Sequence, residues 1–173
     1  METTRLKKTS EILLDSAFIN GNKIEMSKVN LAEILSDATE KLSIKAKKES
    51  IELVCNATDI MTNGNETLLS MLFYNIIENG IKACEDGGRV TISSADNRVI
   101  IEDNGKGMTE EQLKHITEPF YPTDKSRSRA EGGAGLGLAL CKQIATTHKA
   151  ELKFESKPQK GTKVIVSFPK IDS

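Results

Sequence analysis

The stretch Asn75-Ile76-Ile77-Glu78-Asn79-Gly80-Ile81-Lys82-Ala83 decides how the rest of this chain is read. It lies within residues 66–85, where Leu68, Leu69, Leu72, Phe73, Ile76 and Ile77 recur at the spacing of one apolar helix face. At about 100° per residue, Asn75, Asn79 and Lys82 fall within roughly 60° of arc at one border of that face, beside Leu72. Asparagine lowers helix propensity, and its amide brings donors and acceptors that need partners if buried. Amides one turn apart, next to an ammonium, suit a polar ligand held where a helix passes from core to crevice. A solvated or backbone-bonded border is the alternative that this stretch alone leaves open.

Outward from this helix, Gly64-Asn65 turns into it and Asp86-Gly87-Gly88 ends it. Ile51 to Cys55 reads as a short strand. Asn30 with Glu33 three residues on forms a capping-box start, so residues 31–48 are a helix carrying Leu31, Ile34, Leu35, Ala38 and Leu42. Its Lys45-Ala46-Lys47-Lys48 end complements the macrodipole and reads as a solvated face. Lys23 to Met26 reads as a short edge strand, and residues 3–18 as an amphipathic helix stopped by Asn20-Gly21-Asn22. A helix so short needs a partner, either its own domain or a dimerising helix of which it is the end.

Downstream, Arg89–Ser94 and Arg98–Asp103 form a hairpin around Ala95-Asp96-Asn97. Its second strand runs into Asp103-Asn104-Gly105-Lys106-Gly107-Met108. A carboxylate at a strand end, with glycines two and four residues on, lets the backbone approach a flat ligand whose exocyclic amine the carboxylate accepts. A β-turn with an Asx cap fits the same residues. Thr109 and Gln112 form another capping box over a short helix at 110–116. Residues 123–133 are polar and aperiodic, with Lys125, Arg127 and Arg129, as in a lid or binding loop. Those cations meet phosphates or merely solubilise the loop. Gly132-Gly133-Ala134-Gly135-Leu136-Gly137-Leu138 then opens a helix, a ready anion site. It lacks the Lys-Ser/Thr of a P-loop and the spacing of a dinucleotide fingerprint. Residues 151–156 and 163–168 close the chain as strands around Gly161-Thr162.

At 173 residues the chain suits one domain with, at most, a small appendage. A net charge of −1 with interspersed signs, 4% aromatics and no Trp argue against nucleic-acid binding. Cys55, Cys84 and Cys141 lack a C-x-x-C pair and sit in apolar runs, as buried free thiols of a reducing cytosol do. No apolar run approaches a membrane span, so membrane contact by this chain is not expected.

In their order these motifs resemble the catalytic, ATP-binding domain of bacterial sensor histidine kinases, within the wider group that includes gyrase and the chaperone Hsp90. Asn75 to Lys82 is similar to the N box and Asp103 to Gly107 to the G1 box. Pro119-Phe120-Tyr121 is similar to the F box and Gly133 to Leu138 to the G2 box. The likeness covers about residues 27–170, with Gly80 standing where Ala is usual. It implies an α/β sandwich, a mixed and mostly antiparallel sheet with helices on one face, over residues 23–173. Residues 1–22 would be the remnant of a dimerisation and phosphoacceptor helix.

The resemblance also implies roles. Asn79 would hold the Mg²⁺ that bridges the ATP phosphates, Asn75 would support the same region, and Lys82 would reach a phosphate. Asp103 would bond the adenine amino group, with Gly105 beside it, Gly107 letting the base approach and Thr162 helping at that end. Gly133, Gly135, Leu136 and Gly137 would anchor the lid and offer N–H groups to the phosphates, with Lys125 and Arg127 as lid cations. The implied partners are a phosphoacceptor helical hairpin of the same protein, a response-regulator receiver domain and, in the full protein, a second copy. Neither His115 nor His148 has the family's acceptor context, so the acceptor is expected upstream of Met1, in a cytoplasmic protein or the cytoplasmic part of a membrane-bound sensor. Rival readings are a gyrase- or Hsp90-type ATPase, an anti-sigma-like Ser kinase, and a non-catalytic nucleotide-binding or interaction module.

Overall fold

The computed structural model describes Ile19 and residues 23–121 and 136–170. The first helix expected at residues 3–18 and the lid with Lys125, Arg127, Gly133 and Gly135 lie outside the described residues. The elements run β1 (Ser27–Asn30), α1 (Leu31–Lys48), β2 (Glu52–Asn56), β3 (Met61–Gly64), α2 (Glu66–Ala83), β4 (Arg89–Ala95) and β5 (Arg98–Asp103). They continue with α3 (Glu110–His115), α4 (Gly137–Thr147), β6 (Glu151–Ser156) and β7 (Thr162–Ser167).

The main sheet has five strands in the order β2-β4-β5-β7-β6. The pair β2–β4 is parallel and the rest are antiparallel. Along the strands, Val90, Ile92, Val99, Ile101, Val164 and Val166 are buried, while Glu102, between Ile101 and the buried Asp103, is exposed. This period of two gives the sheet one covered face. Helices α1, α2 and α4 pack there, which makes the expected two-layer sandwich. Leu69, Leu72, Phe73, Ile76, Ile77 and Ile81 of α2 are fully enclosed or nearly so at the centre of the core. Burial of each such side chain contributes about 1.5–3 kcal/mol. Ile19 is buried in the same core.

Several local expectations change. The strand placed at Lys23–Met26 forms instead at Ser27–Asn30, because its antiparallel partner is Met61–Gly64, with Asn30 opposite Met61. Asn30 caps α1 by accepting from Ala32 N at 3.1 Å, but Glu33 meets the Asn30 side-chain amide rather than its backbone, so the box is not reciprocal. Helix α2 stops at Ala83, before Glu85, because Cys84 is extended. Cys84 and Cys141 are buried thiols, whereas Cys55 is exposed on β2, at the edge of the sheet. The Thr109–Gln112 capping box is present in both directions.

Candidate functional site

Sheet register assembles one end of the site. Asp103 is the last residue of β5, its Cα partner on β7 is Thr162, and Thr162 faces Ser156 on β6. Asp103 continues the inward row of Val99 and Ile101, so its carboxylate points under the helix layer and is only 7% exposed. Its Oδ1 accepts from Gly105 N at 2.9 Å and from Thr162 N at 3.3 Å. Both bonds end on Oδ1, which leaves Oδ2 to a ligand. Burial raises the carboxyl to a pKa of about 6, against the pull of those backbone amides. The same burial, with the Asp103 charge, raises the Cys84 thiol. At neutral pH Asp103 is an ionised, largely dry acceptor.

The turn after Asp103 is held by its surroundings. Lys106 N donates to Ala83 O at the end of α2, and Gln159 N donates to Lys106 O from the β6–β7 turn. A Cβ on Gly105 would stand 2.3 Å from Ala83 O. Gly107 has φ +63, and a Cβ there would stand 1.9 Å from Lys157 O. These glycines are therefore required by the chain's own backbone, apart from any room they leave for a flat ligand. Ser156 Oγ accepts from Met108 N at 2.9 Å, donates to Gly161 O at 2.7 Å and lies 3.0 Å from Thr162 Oγ1. It ties the turn to Thr162 and so to Asp103.

Helix α2 supplies the other end. It approaches Asp103 at Gly80, where a Cβ would lie 3.6 Å from Asp103 Cβ. The residues of its polar border flank Gly80: Asn75 five residues before it, Asn79 next to it and Lys82 two residues after. Asn75 donates through Nδ2 to Met71 O at 2.8 Å. Its Oδ1 would be 3.2 Å from a Cβ on Gly137, so the start of α4 and the border of α2 are adjacent. Leu136, before α4, is buried. Asn79 is half-buried on the same border. Lys82 Nζ donates to Glu78 Oε2 at 2.9 Å, and Lys45 Nζ of α1 donates to Glu78 Oε1 at 2.9 Å. The Lys45–Lys48 run is thus more than a solvated face: its first member reaches a buried carboxylate of α2.

The structure thus brings Asp103, Gly105, Gly107 and Thr162 together beneath Gly80, and Asn75 beside Gly137. Sequence reasoning missed Ser156, Glu78 and Lys45. Glu78 alone had a local signal, an acid on the apolar helix with Lys82 one turn on. Neither histidine lies at this border. His148 is 4% exposed, accepts from Asn65 N through Nε2 at 3.0 Å and donates through Nδ1 to Ile144 O at 2.8 Å. Burial lowers its pKa. His115 is half-buried, 2.8 Å from Glu118 Oε1, with its ring tilted against that of Tyr121 at 5.3 Å. Phe120 stands 62% exposed at φ +65. Among the described residues no group of three or more His, Cys, Asp or Glu side chains is placed to hold a metal.

A family model described as histidine kinase-, DNA gyrase B-, and HSP90-like ATPase matches residues 64–172. Sporulation kinase C of Bacillus subtilis strain 168 is 41% identical over 146 residues, which is 80% of this chain and 33% of that protein. The chain spans about a third of the length of the curated relatives it matches. The catalytic domain of histidine kinase ThkA, in a nucleotide-free form, superposes with a TM-score of 0.74 at 25% identity, covering 85% of this chain and 99% of that one. ThkA in complex with the response regulator protein TrrA gives a TM-score of 0.77 at 22% identity, covering 98% of this chain and 49% of that one.

Proposed function

Because this chain belongs to the histidine kinase-, DNA gyrase B-, and HSP90-like ATPase family, we propose that it is the ATP-binding, phosphoryl-donating unit of a bacterial sensor histidine kinase. The observation that carries this reading is Asp103: a buried carboxylate with Oδ1 held by Gly105 and Thr162 and Oδ2 left over, directly under the helix that bears Asn75 and Asn79. Oδ2 accepts from the adenine amino group, and Thr162 and Ser156 hold the carboxylate in place. The phosphates then run along the polar border of α2 toward the start of α4 at Leu136 and Gly137. Lys82 turns from Glu78 to a phosphate, and we assign Lys125, Arg127, Gly133 and Gly135 to phosphate binding from the family likeness alone.

Asn79 offers one amide oxygen to Mg²⁺, a hard cation that keeps waters and phosphate oxygens and needs few protein ligands. When bound, Mg²⁺ neutralises charge on the β- and γ-phosphates. The residues here do the positioning that phosphoryl transfer chiefly requires. The γ-phosphoryl passes from ATP to a ring nitrogen of a His, leaving ADP. We place that His on a helical hairpin outside this chain, with an Asp of a response-regulator receiver domain as the next acceptor. Residues 1–22 are read as part of that hairpin, the full protein as a homodimer, and this part of it as cytoplasmic. The kinase names of the relatives and the ThkA–TrrA complex support this assignment. Among the described residues no helix is long and apolar enough to cross a membrane.

A gyrase- or Hsp90-type hydrolase is disfavoured by Asn75, an amide with no base to activate water, whose Nδ2 is engaged by Met71 O. A Ser kinase or a silent binding module is separated by experiment. The chain, Mg²⁺-ATP and a His-bearing hairpin should yield acid-labile phosphate on the hairpin, and Asn79→Ala should remove the Mg²⁺ dependence of ATP binding. Acid-stable phosphate would indicate Ser or Thr, and no nucleotide binding by the folded chain would leave an interaction module.

A further inference from the structure

Glu78 sits one residue before Asn79 on α2 and is 7% exposed, yet it carries a carboxylate. Its Oε1 is held by Lys45 Nζ and its Oε2 by Lys82 Nζ, each at 2.9 Å. Lys45 comes from the last turn of α1, which packs along α2. A carboxylate withdrawn from water depends on its counter-charges, and weakening one of them tightens its hold on the other.

We propose that Lys45 is a positioning residue for phosphate binding: by holding Oε1 of Glu78 it leaves the Lys82 ammonium able to turn to the ATP phosphates. The inference rests on the reading of Lys82 as a phosphate contact. With Lys45 in place, Glu78 keeps a cation on Oε1 when Lys82 leaves Oε2. Without Lys45, the pull of Glu78 concentrates on Lys82, and the phosphates must compete with a buried carboxylate for the same ammonium. A plain long-range attraction between Lys45 and the nucleotide also favours ATP. The two differ in one respect: only the positioning role passes through the Glu78 charge.

The test is calorimetric titration of the whole chain with Mg²⁺-ATP and, separately, with adenosine. The variants are Lys45→Met, Lys45→Arg, Lys82→Met, Glu78→Gln and the pair Glu78→Gln with Lys45→Met, each checked for an unchanged circular dichroism spectrum. Lys45→Met should weaken ATP about fivefold to tenfold and adenosine less than about twofold, with Lys45→Arg close to wild type. In the Glu78→Gln background, Lys45→Met should change ATP affinity by less than about twofold. Equal losses for ATP and adenosine would overturn the proposal in favour of a structural role. A loss that persists with Gln at position 78 would overturn it in favour of the long-range field. If Lys82→Met weakens ATP while Lys45→Met does not, the positioning role falls and the site reading stands. If Lys82→Met leaves ATP binding intact, the Lys82 contact fails and takes the inference with it.

Discussion

The two ends of the site are built by different means. Around Asp103 the partners are backbone groups: Thr162 N, placed by sheet register, Gly105 N, and a turn held by Ala83 O, Gln159 N and Ser156. Along α2 the polar side chains are engaged within the helix, Asn75 on the Met71 backbone carbonyl and Lys82 on the Glu78 carboxylate. The first end is shaped before a ligand arrives. The second is a set of groups that must exchange an internal partner for a phosphate. A carboxylate acceptor held rigidly by backbone donors favours discrimination of the base, and exchangeable ion pairs favour entry and release of the charged part.

The contrast breaks most sharply at Asp103. Asp103→Asn should weaken ATP and adenosine alike, by about 3 kcal/mol or roughly a hundredfold, since an amide N–H would replace the charged acceptor or oppose the adenine amine. The same variant should stabilise the free chain at pH 8. The folded carboxyl sits at about 6, above its ordinary 3.8. Its contribution to stability is fully present below about pH 4 and is lost as pH rises through about 6. Thermal melts of variant and wild type should therefore diverge with rising pH, and a constant offset would contradict the buried-carboxylate account. In the wild type, adenosine affinity should fall as pH drops below about 6, where the acceptor is protonated.

His148 offers a smaller break, in the scaffold rather than the site. Its neutral Nε2 accepts from the N-cap of α2, so a proton there would oppose Asn65 N. Its folded pKa is lowered, hence the stability it contributes is present above the ordinary value near 6.5 and is lost as pH falls. His148→Gln should cost about 1–2 kcal/mol at pH 7.5 and flatten this acid limb of the melting profile. Ser156→Ala should have the smallest effect, about 1 kcal/mol, read as a roughly fivefold weaker Kd for adenosine and ATP equally. A loss confined to ATP would place Ser156 at the wrong end.

How legible each part was follows the same division. The central helix, the β4–β5 hairpin, the Thr109 box and the Asp103 turn carry their signals in neighbouring residues, so they read directly from period, caps and glycines. The pair β1–β3 did not, because strands of four residues such as Met61–Gly64 exist only through each other. Cys55 sits in an apolar run and shares the covered face with its neighbour Ile92, but on the edge strand it is left exposed. Ser156 and Lys45 are ordinary polar residues in sequence. Their partners lie on other elements, at Met108 and at Glu78, and only the packed fold brings them within 2.9 Å. The glycines at 105 and 107 were expected to make room for a base, and the backbone they pack against supplies a further reason for them.

The most direct test of the central claim is competition between ATP and inosine triphosphate, measured calorimetrically at pH 7.5 with Mg²⁺. The two share ribose and phosphates, but inosine carries an oxo group where adenine has its amine. If Asp103 Oδ2 reads that amine, the inosine nucleotide should bind roughly a hundredfold more weakly, because acceptor then faces a charged acceptor. Asp103→Asn should close most of that gap. Equal affinities for the two nucleotides in the wild type would contradict the account and separate Asp103 from recognition of the base.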